Sequence, residues 1–224
     1  IFGGPHSSRW GFHFDIDDEG RGTSELVELT AGQASAQAYE AGSIRLRHVA
    51  ARVVVTAEDR SDISVEIDNP GGAPMPVVTL EGGRLTVNGQ LRGRIGNCTE
   101  EGVDLQGYGF TTYDRMPLIT IRTPRTVDLS LTGAGRAEIG ASDELNLDVN
   151  GCAHATAGDV SGAVEVNLNG SGQIVVAGGQ EANIDVNGSG QVRIEAVRAG
   201  AESEVNGSGG VVIANLTGPL TMDN

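Results

Sequence analysis

The chain has 224 residues, among them 30 acidic residues, 15 arginines and no lysine, which give a formal net charge of −15. This charge repels phosphate groups and excludes nucleic acid as a partner, and no apolar stretch approaches the ~18 residues that span a bilayer. The 34 glycines and the 4% content of aromatic residues exclude a thick globular core and favour a narrow interior of aliphatic side chains.

Residues 1–42 are predicted to form a separate N-terminal segment that caps the rest of the chain. Apolar and polar residues alternate over 10–16, which is typical of a β-strand. Residues 32–42 read GQASAQAYEAG and are predicted to form a short helix that covers an exposed sheet edge. Because the chain begins with Ile rather than Met, we expect a signal peptide or a lipoprotein leader upstream of it.

The same N-terminal segment holds residue types that bind divalent metals. They are His6, His13, Asp15, Asp17 and Asp18. Their spacing matches no established metal site. A solvated acidic tail is therefore favoured over a metal site, and we predict that the protein uses no metal and no cofactor.

Residues 91–116 are rich in glycine and are predicted to be an insertion into a more regular fold. The candidate binding residues are concentrated there, namely Tyr108, Phe110, Tyr113 and Arg115. Aromatic rings beside an arginine can stack on a sugar and hydrogen-bond to it, and long loops often carry binding sites. Alternatively, the rings only anchor the insertion to the body of the protein, and the residue types leave both interpretations open.

Cys98 and Cys152 are the only cysteines of the chain. In an oxidising compartment they would form a disulfide that fastens the insertion to the rest of the molecule. Two free buried thiols are the alternative, while a metal-binding or catalytic pair is disfavoured.

Between residues 131 and 209 the chain repeats a five-residue word. It reads LTGAG at 131–135, VNGCA at 149–153, LNGSG at 168–172, VNGSG at 186–190 and VNGSG at 205–209, with central glycines 18, 19, 18 and 19 residues apart. Apolar and polar residues alternate on both sides of each word, as in strands with one buried face. The pattern predicts an all-β fold, a right-handed parallel β-helix with coils of about 18–19 residues.

The repeated word is predicted to form the corner between the two strands of each coil. Asparagine and glycine tolerate positive φ and turn a chain sharply with little strain. We expect stacked asparagine amides to hydrogen-bond from coil to coil, so a structural role is favoured over ligand contact. The predicted structural corners are Asn150, Gly151, Asn169, Gly170, Asn187, Gly188, Asn206 and Gly207.

The repeated words resemble the tandem repeats of the head GIN domain family of auto-transporter adhesins. The segments at 119–135, 48–69 and 80–90 are similar to the first coil and the opening strands of that family. The resemblance therefore implies one head GIN-like β-helix domain over residues 43–224. It also implies an exported envelope protein of bacteria, and it supplies no catalytic residues.

We expect a non-enzymatic module of the cell envelope that binds an unknown protein or glycan or serves as a scaffold. The resemblance implies a location in the periplasm, at the outer membrane or on the cell surface. One alternative is a carbohydrate-active enzyme, either a polysaccharide lyase or a hydrolase, for which the nearest candidate carboxylates are Glu100, Glu101, Asp104 and Asp114. The other alternative is a homo-oligomer that assembles through the ends of the coils.

Overall fold

The computed structural model describes residues 27–223. The strand predicted over 10–16 and the five candidate metal ligands lie outside the described residues. Within 27–223 the chain forms 17 strands and one 3₁₀ turn, Tyr113–Arg115. The strands are β1 Gly32–Tyr39, β2 Ser43–Ala57, β3 Ile63–Asn69, β4 Val77–Glu81, β5 Arg84–Asn88, β6 Ile95–Cys98, β7 Gly102–Leu105, β8 Gly109–Thr112, β9 Leu118–Thr123, β10 Thr126–Ile139, β11 Glu144–Gly151, β12 His154–Asp159, β13 Ala163–Gly170, β14 Gln173–Gly188, β15 Gln191–Gly207, β16 Gly210–Leu216 and β17 Leu220–Asp223. No helix in this range is long and apolar enough to cross a membrane.

The predicted parallel β-helix is confirmed by the strand pairing. On one face, the first half of β10 pairs in parallel with β11, β11 with β13, and β13 with the second half of β14. On the other face, the second half of β10 pairs with β12, β12 with β14, β14 with β15, and β15 with β16. Each repeated word therefore lies where the chain passes from the first face to the second.

The core is a stack of aliphatic side chains between the two faces. Leu131, Val149, Leu168 and Val186 occupy the same position in successive coils, and each is no more than 2% exposed. Full burial of one such side chain stabilises the fold by roughly 1.5–3 kcal/mol. Because each strand of a face buries every second side chain, the alternation seen in the sequence translates directly into buried and exposed positions.

The order of coils in space differs from their order in the sequence near the N-terminal end. Strand β2 pairs in parallel with β10 on one side and with both β5 and β9 on the other. The coil formed by β5 and β9 therefore lies outside β2, although it follows β2 in the chain. The outermost strands at this end are antiparallel, with β4 paired to β5 and β1 to β3.

The helix predicted over residues 32–42 is wrong, because Gly32–Tyr39 is the edge strand β1. It pairs with β3 from Gly32 opposite Asn69 to Tyr39 opposite Ile63. The hydrogen bonds to β3 and the packing of Ala34 and Tyr39 against the core outweigh the weak helical preference of the alanine-rich sequence.

Candidate functional site

The glycines of the repeated words stand where a side chain cannot be accommodated. Gly151, Gly170, Gly188 and Gly207 have φ between 122° and 130°. A Cβ atom on any of them would overlap the carbonyl oxygen of the corresponding glycine in the preceding coil. Positive φ and this close approach of two backbones both require glycine. The glycines therefore set the corner geometry.

The backbone of the corners is hydrogen-bonded from coil to coil. The amide of Ser171 donates to the carbonyl of Gly151, and the amide of Ser189 donates to the carbonyl of Gly170, each at 2.9 Å. In the same way, the amide of Ser208 donates to the carbonyl of Gly188 at 2.9 Å. These hydrogen bonds satisfy backbone amide and carbonyl groups of the corners. The side chains of the repeated words are therefore not needed as hydrogen-bond partners for the backbone.

The asparagines of the words stack in register, but they do not form the expected hydrogen-bonded ladder. Asn150 lies opposite Asn169, Asn169 opposite Asn187, and Asn187 opposite Asn206. In residues 27–223 no hydrogen bond joins one of these amides to the next; Asn206 donates instead to Glu204 at 2.7 Å. The other three amides remain available to solvent or to a ligand.

The column of stacked corners continues beyond the five repeated words, toward the N-terminal end of the solenoid. Asn88, in a Val-Asn-Gly sequence at 87–89, lies opposite Arg47, and Arg47 lies opposite Thr132. His48 is an extra residue at this point, with φ of 51°. The Asn-Gly pair at 88–89 is the signal in the sequence that could have identified this earlier corner.

The insertion at 91–116 lies between the corner at 88–89 and β9, and it forms a small antiparallel sheet, β6–β7–β8. Leu91, Val103, Leu105 and Met116 form a second buried cluster against Ala50 and Ala134 of the solenoid. A three-stranded sheet of such short strands has too little core to be stable alone, and packing against the solenoid supplies the missing burial.

The four residues predicted as a binding patch do not form one surface. Tyr113 is 7% exposed, donates its hydroxyl to the carbonyl of Thr99 at 3.0 Å, and lies beneath the guanidinium of Arg136. Tyr108 is half-buried and donates to the carbonyl of Val27 at 2.8 Å. Phe110 and Arg115 are exposed. Two of the four side chains thus serve to anchor the insertion.

A disulfide joins Cys98 of β6 to Cys152 at the corner between β11 and β12. Their Cα atoms are 6.2 Å apart, within the range typical of disulfides. The bond fixes β6 beside the column of glycine corners.

A groove of about 710 Å³ runs between β6 and the corners of four successive coils, and we call it the corner groove. Its floor is made of the corner glycines and one wall is β6. Among the described residues that line it there is no Asp, Glu, Lys or Arg, although the chain has 45 such residues in total. The lining residues are His48, Leu91, Gly93, Ile95, Gly96, Asn97, Cys98, Thr132, Gly133, Asn150, Gly151, Cys152, Gly170, Ser171, Gly188 and Ser189.

The polar side chains of the corner groove are unsatisfied within the protein. Asn97, Thr132, Asn150, Ser171 and Ser189 line it, and none has a side-chain hydrogen bond to another described residue. Amide and hydroxyl groups can both donate and accept. The groove therefore offers neutral hydrogen-bonding groups to a ligand from several coils at once.

His48 is the one ionisable side chain in this lining, and its surroundings favour the neutral form. Burial lowers the pKa of His48 below 6.5, and the positive charges of Arg47 and Arg92 lower it further. At neutral pH the imidazole is therefore uncharged and can also donate and accept hydrogen bonds.

We expect His48 to make stability fall on mild acidification. Its folded-state pKa lies below its unfolded value, so the unfolded chain binds the proton first and gains stability as the pH falls through 6.5. His48→Asn, which tolerates the positive φ, should reduce the loss of unfolding free energy between pH 7.5 and 5.5. Urea titrations at both pH values measure this, with His154→Asn as the control. Equal losses for wild type and His48→Asn would reject the assignment.

The carboxylates proposed for catalysis lie elsewhere. Glu100, Glu101, Asp104 and Asp114 are exposed, and none of them lines the corner groove. A hydrogen bond from the Thr112 side chain is the main cause that lowers the pKa of Asp114, which favours an ionised carboxylate over a general acid. Within residues 27–223 no group of three His, Cys, Asp or Glu residues could hold a metal ion.

Comparison with known proteins identifies relatives of the same fold. Residues 48–217 match the family described as "Putative auto-transporter adhesin, head GIN domain". A "putative adhesin" from Bacteroides fragilis is 13% identical, with 88% of this chain and 99% of that chain covered and a TM-score of 0.50. No curated protein matches the sequence significantly.

Two further solved structures share less of the geometry. A "putative adhesin" from Parabacteroides distasonis is 13% identical, with 88% of this chain and 100% of that chain covered and a TM-score of 0.39. A "putative cell adhesion protein" from Clostridium sporogenes is 12% identical, with 87% of this chain and 99% of that chain covered and a TM-score of 0.31. The match over residues 48–217 spans most of the sequence, and the chain therefore belongs to the head GIN domain family.

Proposed function

We propose that this chain is an exported, non-enzymatic binding module of the bacterial cell envelope, and that the corner groove holds its partner. Membership of an adhesin family supports a location at the cell surface or outside the cytoplasm. In this proposal residues 43–224 form the binding domain, and residues 1–42 are an N-terminal segment. The main observation in support of this binding function is the row of amide and hydroxyl groups without internal partners along a groove whose described lining has no Asp, Glu, Lys or Arg.

A binding role fits this groove better than glycoside hydrolysis. Hydrolases of sugars need two carboxylates on either side of the scissile bond. The described lining of the corner groove supplies neither an acid nor a charged base at neutral pH. Hydroxyl and amide groups can hold a ligand without transforming it.

Blocking the groove should abolish adhesion. Ser171→Tyr places a bulky ring at its centre, while Ser61→Tyr introduces the same ring at an exposed position outside the groove. Beads coated with each protein would be counted on plates coated with a neutral polysaccharide, an acidic polysaccharide or collagen. We expect wild type and Ser61→Tyr to adhere to one of these surfaces and Ser171→Tyr to lose at least tenfold in bound beads. Equal adhesion of all three proteins, or none by wild type, would reject the proposal.

Self-association is a second candidate function, favoured by the two ends of the solenoid. At the N-terminal end Val77 and Leu80 of β4 are 49% and 44% exposed, and at the C-terminal end Leu220 and Met222 of β17 are 47% and 54% exposed. In the described part of the chain β4 pairs only with β5, and β17 only with β15, so each has an open edge.

Charge favours a head-to-tail arrangement of these ends. At the N-terminal end the first face carries Arg84 of β5 and Arg45 of β2, and Glu81 of the edge strand β4 lies opposite Arg84. At the C-terminal end the column that contains Arg45 finishes with Glu204 and Asp223. Two C-terminal ends would oppose like charges, whereas an N-terminal end against a C-terminal end opposes unlike ones. Such a contact is heterologous and extends into a filament unless the rotation closes a ring.

Sedimentation velocity on two end variants tests this arrangement. Leu80→Glu blocks the N-terminal end and Leu220→Lys blocks the C-terminal end, so each alone should be monomeric. Their equimolar mixture should give a dimer, because each keeps the end that the other lacks. Phe110→Lys, which alters a similarly exposed residue outside the edge strands β4 and β17, should assemble like wild type. Dimers of Leu80→Glu alone, or a monomeric wild type, would contradict head-to-tail assembly.

A further inference from the structure

We propose that the ligand of the corner groove is an uncharged polysaccharide that lies along the solenoid axis, with one sugar unit at each coil. The inference rests on the proposed binding function and adds the class of ligand, its direction and its length. It is carried by the spacing of the groove's polar groups and by their chemistry.

The spacing of the polar groups is that of stacked strands. The glycines that precede Cys152, Ser171 and Ser189 lie directly opposite one another in adjacent coils. Equivalent groups in paired strands repeat at about 4.8 Å. This is close to the length of one pyranose unit in an extended, β-linked polysaccharide, so one sugar would lie at each coil, with hydroxyl groups from Ser171 and Ser189 at two of the four coils.

A peptide lying along the same line would not stay in step with the coils. An extended strand presents backbone groups to one side at every second residue, about every 6.6–6.8 Å. Its backbone groups would therefore lie opposite the polar groups of the groove at only some of the coils. A peptide is therefore the less favoured ligand.

The chemistry of the lining fits a neutral sugar. Ser171, Ser189 and the amide of Asn150 can each donate to and accept from a sugar hydroxyl, and none has an internal partner among the described residues. The glycine floor has no side chains, and its carbonyls already accept coil-to-coil hydrogen bonds, so a sugar ring can lie flat against it. An acidic sugar would meet no cation among the described lining residues; Arg47 and Arg92 act on His48 from outside that lining, and the net charge of −15 opposes binding of an anion.

The length of the groove sets the length of the ligand. The lining comes from the corners of four coils, at Gly133, Gly151, Gly170 and Gly188. We therefore expect affinity to rise with each added sugar up to four units and then to level off. The probes are cello-, xylo-, manno- and N-acetylchito-oligosaccharides of one to eight units, with affinity measured by isothermal titration calorimetry.

Single hydroxyl deletions locate the sugar in the groove. Ser171→Ala and Ser189→Ala should each weaken binding of the best tetrasaccharide by about 2- to 10-fold, the usual effect of one lost hydrogen bond. Ser208→Ala is the matched control, because it occupies the same position of the word one coil beyond the groove. Its affinity should equal that of wild type.

The possible results separate the inference from the function on which it rests. If coated wild-type beads adhere and Ser171→Tyr abolishes the adhesion, but no neutral oligosaccharide competes, the binding function stands and the sugar inference is overturned. Competition by an acidic polysaccharide or by collagen alone would overturn it in the same way. If the beads adhere to nothing, both proposals fail.

Discussion

Replacing Gly170 with alanine should destabilise the solenoid by about 3 kcal/mol, which for a chain of this size lowers Tm by roughly 6–12 °C. Gly170 has φ of 130°, where an L-residue is strained. Its new Cβ would also overlap the carbonyl oxygen of Gly151 in the preceding coil. Thermal unfolding followed by circular dichroism would measure the change.

Gly210→Ala is the matched control for this substitution. Gly210 directly follows the last repeated word, its φ is not positive, and a Cβ there would meet nothing within 4 Å. We expect its Tm to stay within about 2 °C of wild type, as for a surface change of no more than ~0.5 kcal/mol. If Gly170→Ala is as stable as Gly210→Ala, the corner glycines do not set the geometry of the stack.

Removing the disulfide should destabilise the protein by about 4 kcal/mol, since the bond closes a loop between cysteines 54 residues apart. The Cys98→Ser/Cys152→Ser double variant measures this loss in urea. The reduced wild type should unfold at the same urea concentration as the variant. Adhesion should also fall, because β6 is one wall of the corner groove and the disulfide fixes it to the corners.

The pairing itself can be tested by counting thiols. The denatured, unreduced protein should react with no thiol reagent, and the same protein after reduction should yield two thiols per chain. Two reactive thiols before reduction would contradict the disulfide. In that case the double variant should be as stable as wild type.

The repeated words made the solenoid predictable. Their constant spacing sets the length of a coil, and the alternation around Leu131, Val149, Leu168 and Val186 places those side chains inside. Both features are local, so a single sequence reveals them. The antiparallel strands at the N-terminal end are different, because β1 is defined by its pairing with β3 rather than by its own alanine-rich sequence.

The candidate site was only partly predictable. The residue types of the insertion drew attention to Tyr108 and Tyr113, yet these rings mainly anchor the insertion. The groove arises because β6 lies beside corners that are 35 or more residues away in the chain, and no local pattern contains that information. Asparagine stacking predicts a ladder of hydrogen-bonded amides, but among the described residues Asn206 bonds to Glu204 instead and the other three amides have no such bond.

The most direct test of the corner groove as a binding site is nuclear magnetic resonance of ¹⁵N-labelled protein titrated with the soluble polysaccharide that best inhibits bead adhesion. If the polysaccharide binds in the corner groove, the side-chain amide signals of Asn97 and Asn150 and the backbone signals of Ser171 and Ser189 should shift together. The signals of Asn206 and Asn215, which lie outside the groove, should stay in place. Shifts centred on Phe110 and Arg115, or no shifts at saturating polysaccharide, would contradict binding in the corner groove.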